Sequence, residues 1–211
     1  MHYKDYFINS IRKNFPVNSA QLIMETENHF SHISKDTRFA ATSKNPIDRR
    51  LNFSAYFLAL VQTLNEHGET FERIREICLE IVIEYVKPKN RIQQFLKKLP
   101  PKLIGTRVAG LFLKLFDKKV SQNANPNGFI AKIITDKNET YGFGYGVDIM
   151  ECGICKLFKK HDYEKYASIL CEVDKVTSGL AGLELIRSGT IANGAAKCDF
   201  RFRRIEEATE G

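Results

Sequence analysis

Tyr141-Gly142-Phe143-Gly144-Tyr145-Gly146-Val147-Asp148-Ile149 alternates large apolar side chains with glycine and aspartate. A period of two puts the large apolar residues on one side of an extended chain and the glycines on the other, which reads as a β-strand with one apolar and one nearly bare face. Just upstream, Phe129, Ala131 and Ile133 alternate in the same way, and Asp136-Lys137-Asn138-Glu139 is a turn. The two runs therefore form a hairpin. Three glycines on one face weaken a strand, so the pattern predicts that another element or a ligand approaches the backbone closely there.

Downstream, residues 151–160 read as a short helix. Asp162 suits the N-cap of a helix over 163–178, with Gly179 as its terminator. Residues 183–191 and 197–203, joined through Asn193-Gly194, make a second hairpin. The order is ββααββ, with helices packed on an antiparallel sheet.

Upstream, the period is helical. Phe71, Ile74, Cys78, Ile81, Val82 and Tyr85 form one stripe of a helix over 69–86, and Tyr56, Phe57, Leu60, Val61 and Leu64 do the same in the segment before it. His67-Gly68 stops the earlier helix and Lys87-Pro88 the later one. A short helix over 91–99 is ended by Pro100-Pro101, and another spans 103–116. Ser121 to Gly128 is a polar linker rich in turn formers. The expected class is α+β: an N-terminal helical region (1–120) and a linker (121–128) precede a ββααββ unit (129–205) and an acidic tail (206–211). The helical region packs on the sheet unit, and all are expected to form one compact unit.

The 211 residues have an ordinary globular balance, 43% hydrophobic and 27% charged. No apolar run approaches the roughly 20 residues of a membrane span, and the N-terminus lacks the pattern of an export signal. An odd cysteine count without an export signal reads as free thiols in a reducing, cytoplasmic setting. The net charge is +7, yet residues 87–119 alone carry +9, from ten basic residues and the single acid Asp117. The rest of the chain therefore sums to −2. Such a window suits an amphipathic helix with its apolar face in the core and its lysines solvated, contact with an anionic membrane surface, or an anionic substrate. No nucleic-acid motif accompanies it.

Four of the five cysteines, Cys152, Cys155, Cys171 and Cys198, sit in the last 60 residues. Clustered thiols serve as nucleophiles, metal ligands or packing. Cys152 lies at the start of a short helix, where backbone N–H groups and the helix dipole lower a thiol's pKa, to roughly 3.5–7.5 in reactive cases. Cys171 and Asp174 share one side of a helix. Asp174 raises rather than lowers a neighbouring thiol, so its use would be to orient water, a cation or a substrate nitrogen; Lys175 is the cation within reach of Cys171. Cys198, Phe200 and Phe202 share the core face of a strand, and Asp199, Arg201 and Arg203 point the other way. Arg201 suits a carboxylate, or else a cross-strand ion pair. Cys152-x-x-Cys155 with Cys171 and Cys198 is the alternative zinc set, although the second half lacks the Cys-x-x-Cys of a zinc ribbon. The five histidines match no motif.

Several stretches resemble the L-2-amino-thiazoline-4-carboxylic acid hydrolase family. They are Glu151-Cys152 with Leu157-Phe158, Leu170-Cys171-Glu172-Val173-Asp174, Arg187, Thr190, and the ending Gly194-Ala195-Ala196-Lys197-Cys198-Asp199-Phe200-Arg201-Phe202. Ser54-Ala55-Tyr56 and the turn at Gly68 are similar to the family's N-terminal half. Gly153 stands where a proline often follows the first cysteine in such proteins, and Cys155 is outside the pattern. The resemblance implies a hydrolase that opens a cyclic C–N bond, as in conversion of an aminothiazoline carboxylate to a carbamoyl-cysteine. On that reading Cys152 or Cys171 is the nucleophile and Asp174 positions water or a substrate nitrogen. Arg187, Asp199 and Arg201 would then bind a small carboxylate-bearing substrate, with no cofactor. The alternative is a non-enzymatic, cysteine-rich module that binds a metal or small ligand.

Overall fold

The computed structural model describes residues 3–88, 106–140 and 144–205. Helices α1 (Tyr3–Asn14), α2 (Ser19–Thr37), α3 (Phe39–Thr42), α4 (Arg50–Glu66), α5 (Phe71–Val86) and α6 (Arg107–Ser121) come first. Strands β1 (Ile130–Ile134) and β2 (Tyr145–Glu151), helices α7 (Gly153–Lys160) and α8 (Ala167–Leu180), and strands β3 (Leu183–Ile186) and β4 (Cys198–Arg204) follow. The sheet is antiparallel in the order β1-β2-β4-β3. The fold is α+β, with the expected ββααββ order at its C-terminal end.

Helix α4 is the hub. Leu51 and every residue from Ser54 to Leu64 are buried, so the single apolar stripe expected here is too narrow: a helix covered on all sides carries no solvated face. Phe7 of α1 packs edge-on against Tyr56 and Phe57, 4.8 Å from each ring. Helix α5 buries Ile74, Ile77, Cys78, Ile81 and Val82, close to its predicted stripe, although Tyr85 is 45% exposed. One hydrophobic cluster runs from Phe7 to Phe200.

Three local expectations are corrected. Asp162 does not cap a helix; it takes a left-handed φ of 62°, and a 3-10 turn (Glu164–Tyr166) precedes α8. Helix α8 runs past Gly179 to Leu180. The second hairpin has no tight turn at Asn193-Gly194: β3 ends at Ile186, and the connection to Cys198 contains the 3-10 turn Ile191–Asn193. Tyr141, Gly142 and Phe143, the expected helix over 91–99 and the acidic tail lie outside the described residues.

In the β2–β4 register Tyr145 faces Phe202, Val147 faces Phe200 and Ile149 faces Cys198. These share the face turned to the helices. Gly146, Asp148, Asp199 and Arg201 occupy the other. The close approach predicted at the glycine face is realised at Gly146, where a Cβ would meet the Arg201 Cδ at 2.7 Å. An internal side chain, not a ligand, needs that glycine.

The loop into β1 is held by a buried polar clamp. Asp48 accepts from the Ser43 hydroxyl at 2.6 Å and from the Phe129 N–H at 2.9 Å, while Asn45 Nδ2 donates to the Phe129 carbonyl at 3.1 Å. Gly128 lies against that carboxylate: a Cβ there would sit 2.2 Å from Asp48 Oδ1. Asp48→Ala leaves the buried Phe129 amide unpaired. It is expected to cost about 2–3 kcal/mol, read as a lower urea midpoint with an unchanged m-value.

Among the described residues no helix is long and apolar enough to cross a membrane. Of the basic window, Lys87 caps the end of α5, residues 89–105 lie outside the described residues, and α6 carries Arg107, Lys114, Lys118 and Lys119. Lys114, Lys118 and Lys119 are exposed there, but so are Leu111 (63%) and Phe112 (66%). The expected burial of the helix's whole apolar face is therefore not met.

Candidate functional site

Strand β2 delivers Cys152 to the first turn of α7. The corner is tight because Gly153 packs on Gly128: a Cβ at Gly153 would lie 3.0 Å from the Gly128 carbonyl carbon. This contact ties the helix start to the clamped loop. Cys155 follows one turn into α7, α8 adds Cys171 and Asp174 on one side as their spacing predicts, and β4 adds Cys198. From the helical half, Arg50 enters at the start of α4. All six line one pocket. Its free volume is about 20 Å³, room for about one water molecule.

The acids of the Cys171-Glu172-Val173-Asp174 segment anchor α8 to the helical half. The Arg75 Nε–H in α5 is shared between the two Glu172 carboxylate oxygens, at 2.8 and 2.9 Å, and Arg75 Nη2 donates to the same carboxylate. Asp174 pairs with Arg50. Arg187 Nη1 donates to the Cys171 carbonyl at 3.0 Å, and its guanidinium lies 5.7 Å from the Phe200 ring centre. Arg187 therefore borders the cluster as a backbone clamp.

The shared pocket divides the thiols electrostatically. Cys152 is drawn down to about 7, first by a hydrogen bond from the Cys155 thiol. Burial opposes this, but the amides of Cys155 and Ile154 and the charge of Arg50 add to it. The same hydrogen bond, together with burial, pushes Cys155 far up. Burial pushes Cys171 up to about 11, opposed by the Thr190 hydroxyl and helped by Asp174. Cys198 is also raised by burial, although Ile191 N–H donates to its sulfur at 3.2 Å. One sulfur thus tends to thiolate while its neighbours stay protonated, the separation expected of a nucleophile and its acids.

Cys155→Ala removes the main donor. The pH midpoint for alkylation of Cys152 is expected to move up from near 7, and Arg50→Met should move it the same way by less. Iodoacetamide rate profiles with peptide mass mapping read both. An unmoved midpoint in Cys155→Ala would show that this hydrogen bond is not the main cause.

Asp199 and Arg201, expected to bind substrate, do not face this pocket. Arg201 is 7% exposed. It donates to Asp148 Oδ1 at 2.7 Å and to the carbonyls of Glu139 and Phe200 at 2.8 and 2.9 Å. This is the cross-strand ion pair, buried beneath the 136–140 turn. Asp199 accepts from the amides of Ser188 and Gly189 and from the Ser188 hydroxyl, so it fastens the β3–β4 connection. Among the described residues no three His, Cys, Asp or Glu side chains are arranged to hold a metal. His29, His67 and His161 pair with Glu66, Glu25 and Asp36 away from the cluster.

One contributor, Arg50, escaped the sequence reading, and Thr190 was matched there without a role. Arg50 lies 124 residues from Asp174, and nothing local marks it among the chain's other arginines. Lys175, the expected cation, is exposed. Thr190 is buried, its hydroxyl without a hydrogen-bond partner among the described residues but placed to favour a Cys171 thiolate. Beside the pocket lies an apolar cleft of about 340 Å³ that shares Arg50, Ile149, Asp174 and Phe200 with it.

No curated protein and no solved structure matches the chain. A family model for L-2-amino-thiazoline-4-carboxylic acid hydrolase matches residues 49–202. That stretch opens beside Arg50, takes in every side chain of the thiol pocket and ends in β4, leaving α1, α2 and α3 outside. The match covers well over half of the chain and all of the pocket, and the chain accordingly belongs to the L-2-amino-thiazoline-4-carboxylic acid hydrolase family.

Proposed function

We propose that this protein hydrolyses a C–N bond in a small cyclic amidine or amide that bears a carboxylate, with Cys152 as nucleophile. The observation that carries the reading is the Cys152 sulfur, held toward thiolate at the start of α7 with protonated thiols and the Arg50–Asp174 pair around it.

In this mechanism the Cys152 thiolate adds to the sp² ring carbon, and the displaced π pair moves onto the attached heteroatom. The ring C–N bond then breaks. Its electron pair stays on the ring nitrogen, which takes a proton from the Cys171 thiol. The carbon remains on Cys152 as a thioester or its imino counterpart. Water positioned by Asp174 adds to that carbon, and its released proton restores Cys171. Collapse breaks the C–S bond, returns the pair to Cys152 and leaves one water added overall. Arg50, partly exposed at the rim, supports the reading as partner for the substrate carboxylate.

The test is an acid quench during turnover of 2-aminothiazoline-4-carboxylate and related cyclic amides, followed by peptide mass mapping. The expected result is an adduct on Cys152 that disappears as substrate is exhausted. An adduct mapped to another residue would overturn the assignment of Cys152. Stoichiometric binding of these compounds without ring opening would favour the ligand-binding module instead.

A further inference from the structure

We infer that the apolar cleft beside the thiol pocket seats an alkyl or aryl arm of the substrate, so that the ring opened here is carried on an apolar body. The inference rests on the hydrolase reading for the ring and on the cleft for the arm. Its starting point is a mismatch of size. The thiol pocket has room for about one water, so it admits the reacting atoms and little else. Everything else on the substrate must lie in the adjoining 340 Å³, a volume in the range of ligand sites. A bare heterocycle with one carboxylate would leave most of that space unfilled.

The lining states what fits. Tyr145, Val147 and Phe202 of the sheet face Phe112 and Phe116 of α6, and Tyr145 and Phe202 stack at 4.8 Å to make a flat wall. Among the described lining residues charge enters at one end, through Arg50 and Asp174. The one hydroxyl on the α8 side, Ser178, is committed to the Asp174 carbonyl at 2.7 Å. A cleft that is charged at one end and apolar along its length matches an amphiphilic anion: the carboxylate meets Arg50, an amidine or amide nitrogen meets Asp174, and the arm runs along the sheet. A polar arm would lose its water there and, among the described lining residues, gain few partners along the apolar length.

The test separates the cleft from the chemistry. Acetate, butanoate, hexanoate and octanoate are titrated calorimetrically into the full chain. Each methylene buried in the cleft is expected to tighten binding about 4-fold, so octanoate should exceed butanoate at least about 30-fold. Phe112→Glu, a change at an exposed position, should weaken octanoate about 10-fold or more and leave acetate unaffected. In parallel, ring opening is compared for 2-aminothiazoline-4-carboxylate and a hexyl-bearing derivative. An affinity that is flat along the series, or an octanoate affinity indifferent to Phe112→Glu, overturns the proposal. A steep series with no ring opening of either heterocycle supports the cleft and removes the hydrolase reading. A steep series with faster opening of the hexyl derivative supports both.

Discussion

Cys152→Ala is expected to lower the ring-opening kcat by at least about 10³-fold, equivalent to roughly 4 kcal/mol of transition-state stabilisation. The thermal midpoint should stay within a few degrees of the parent. The side chain is small and sits at a helix start, so its loss opens little space, whereas no other sulfur in the pocket is shifted toward thiolate. Cys171→Ala should be slower by a smaller factor, because water can replace a proton donor more readily than a nucleophile. Steady-state kinetics on the two variants, with circular dichroism as a folding control, measure both. Full activity in both variants would sink the covalent mechanism.

Arg201→Met should act on stability instead. Removing one member of a buried ion pair leaves a charge without its compensation, typically costing 3–5 kcal/mol. Lys197 Nζ still donates to Asp148 Oδ2 at 2.6 Å, so the lower end, about 3 kcal/mol, is expected. For a chain of this size that is a fall in melting temperature of about 6–12 °C, with KM unchanged at temperatures where the variant is folded. A raised KM with an unchanged melting temperature would return Arg201 to substrate binding. The pH dependence provides a second readout. Burial alone would raise Asp148, but hydrogen bonds from Arg201 and Lys197 reverse this, and its folded pKa lies below the ordinary value of 3.8. A carboxylate lowered on folding stabilises fully above its unfolded pKa and loses that contribution as pH falls through its folded pKa. The parent should therefore lose stability on acidification below about 3.8, and Arg201→Met should lose less across the same window.

Much of the fold was legible because secondary-structure periods are local. The alternation around Val147 and Ile149 placed them with Cys198 and Phe200 on one sheet face, and the three-residue spacing of Cys171 and Asp174 placed both on one side of α8. Legibility failed where the backbone left a regular period. Asp162 is a good cap by residue type, but the turn that closes α7 after Lys160, with the Tyr163 N–H on the Phe158 carbonyl, puts it at a left-handed φ. The Asn193-Gly194 pair looks like a tight hairpin turn, yet Asp199 gathers the Ser188 and Gly189 amides and draws the connection into a longer loop.

For the site, the sequence by itself determined the positions of the candidate side chains within each element: a thiol at a helix start, and a thiol and a carboxylate sharing a helix side. It also determined that Arg201 points away from the core. Only the tertiary structure decided that four cysteines from two helices, a strand–helix corner and a strand converge, that Arg50 rather than Lys175 supplies the cation, and that Cys152 is the sulfur drawn toward thiolate. The reason is physical. Side-chain direction follows from dihedral angles repeated over a few residues, whereas a pKa follows from the charges, donors and solvent within a few ångströms, and here those neighbours come from segments as far apart as residues 50 and 198.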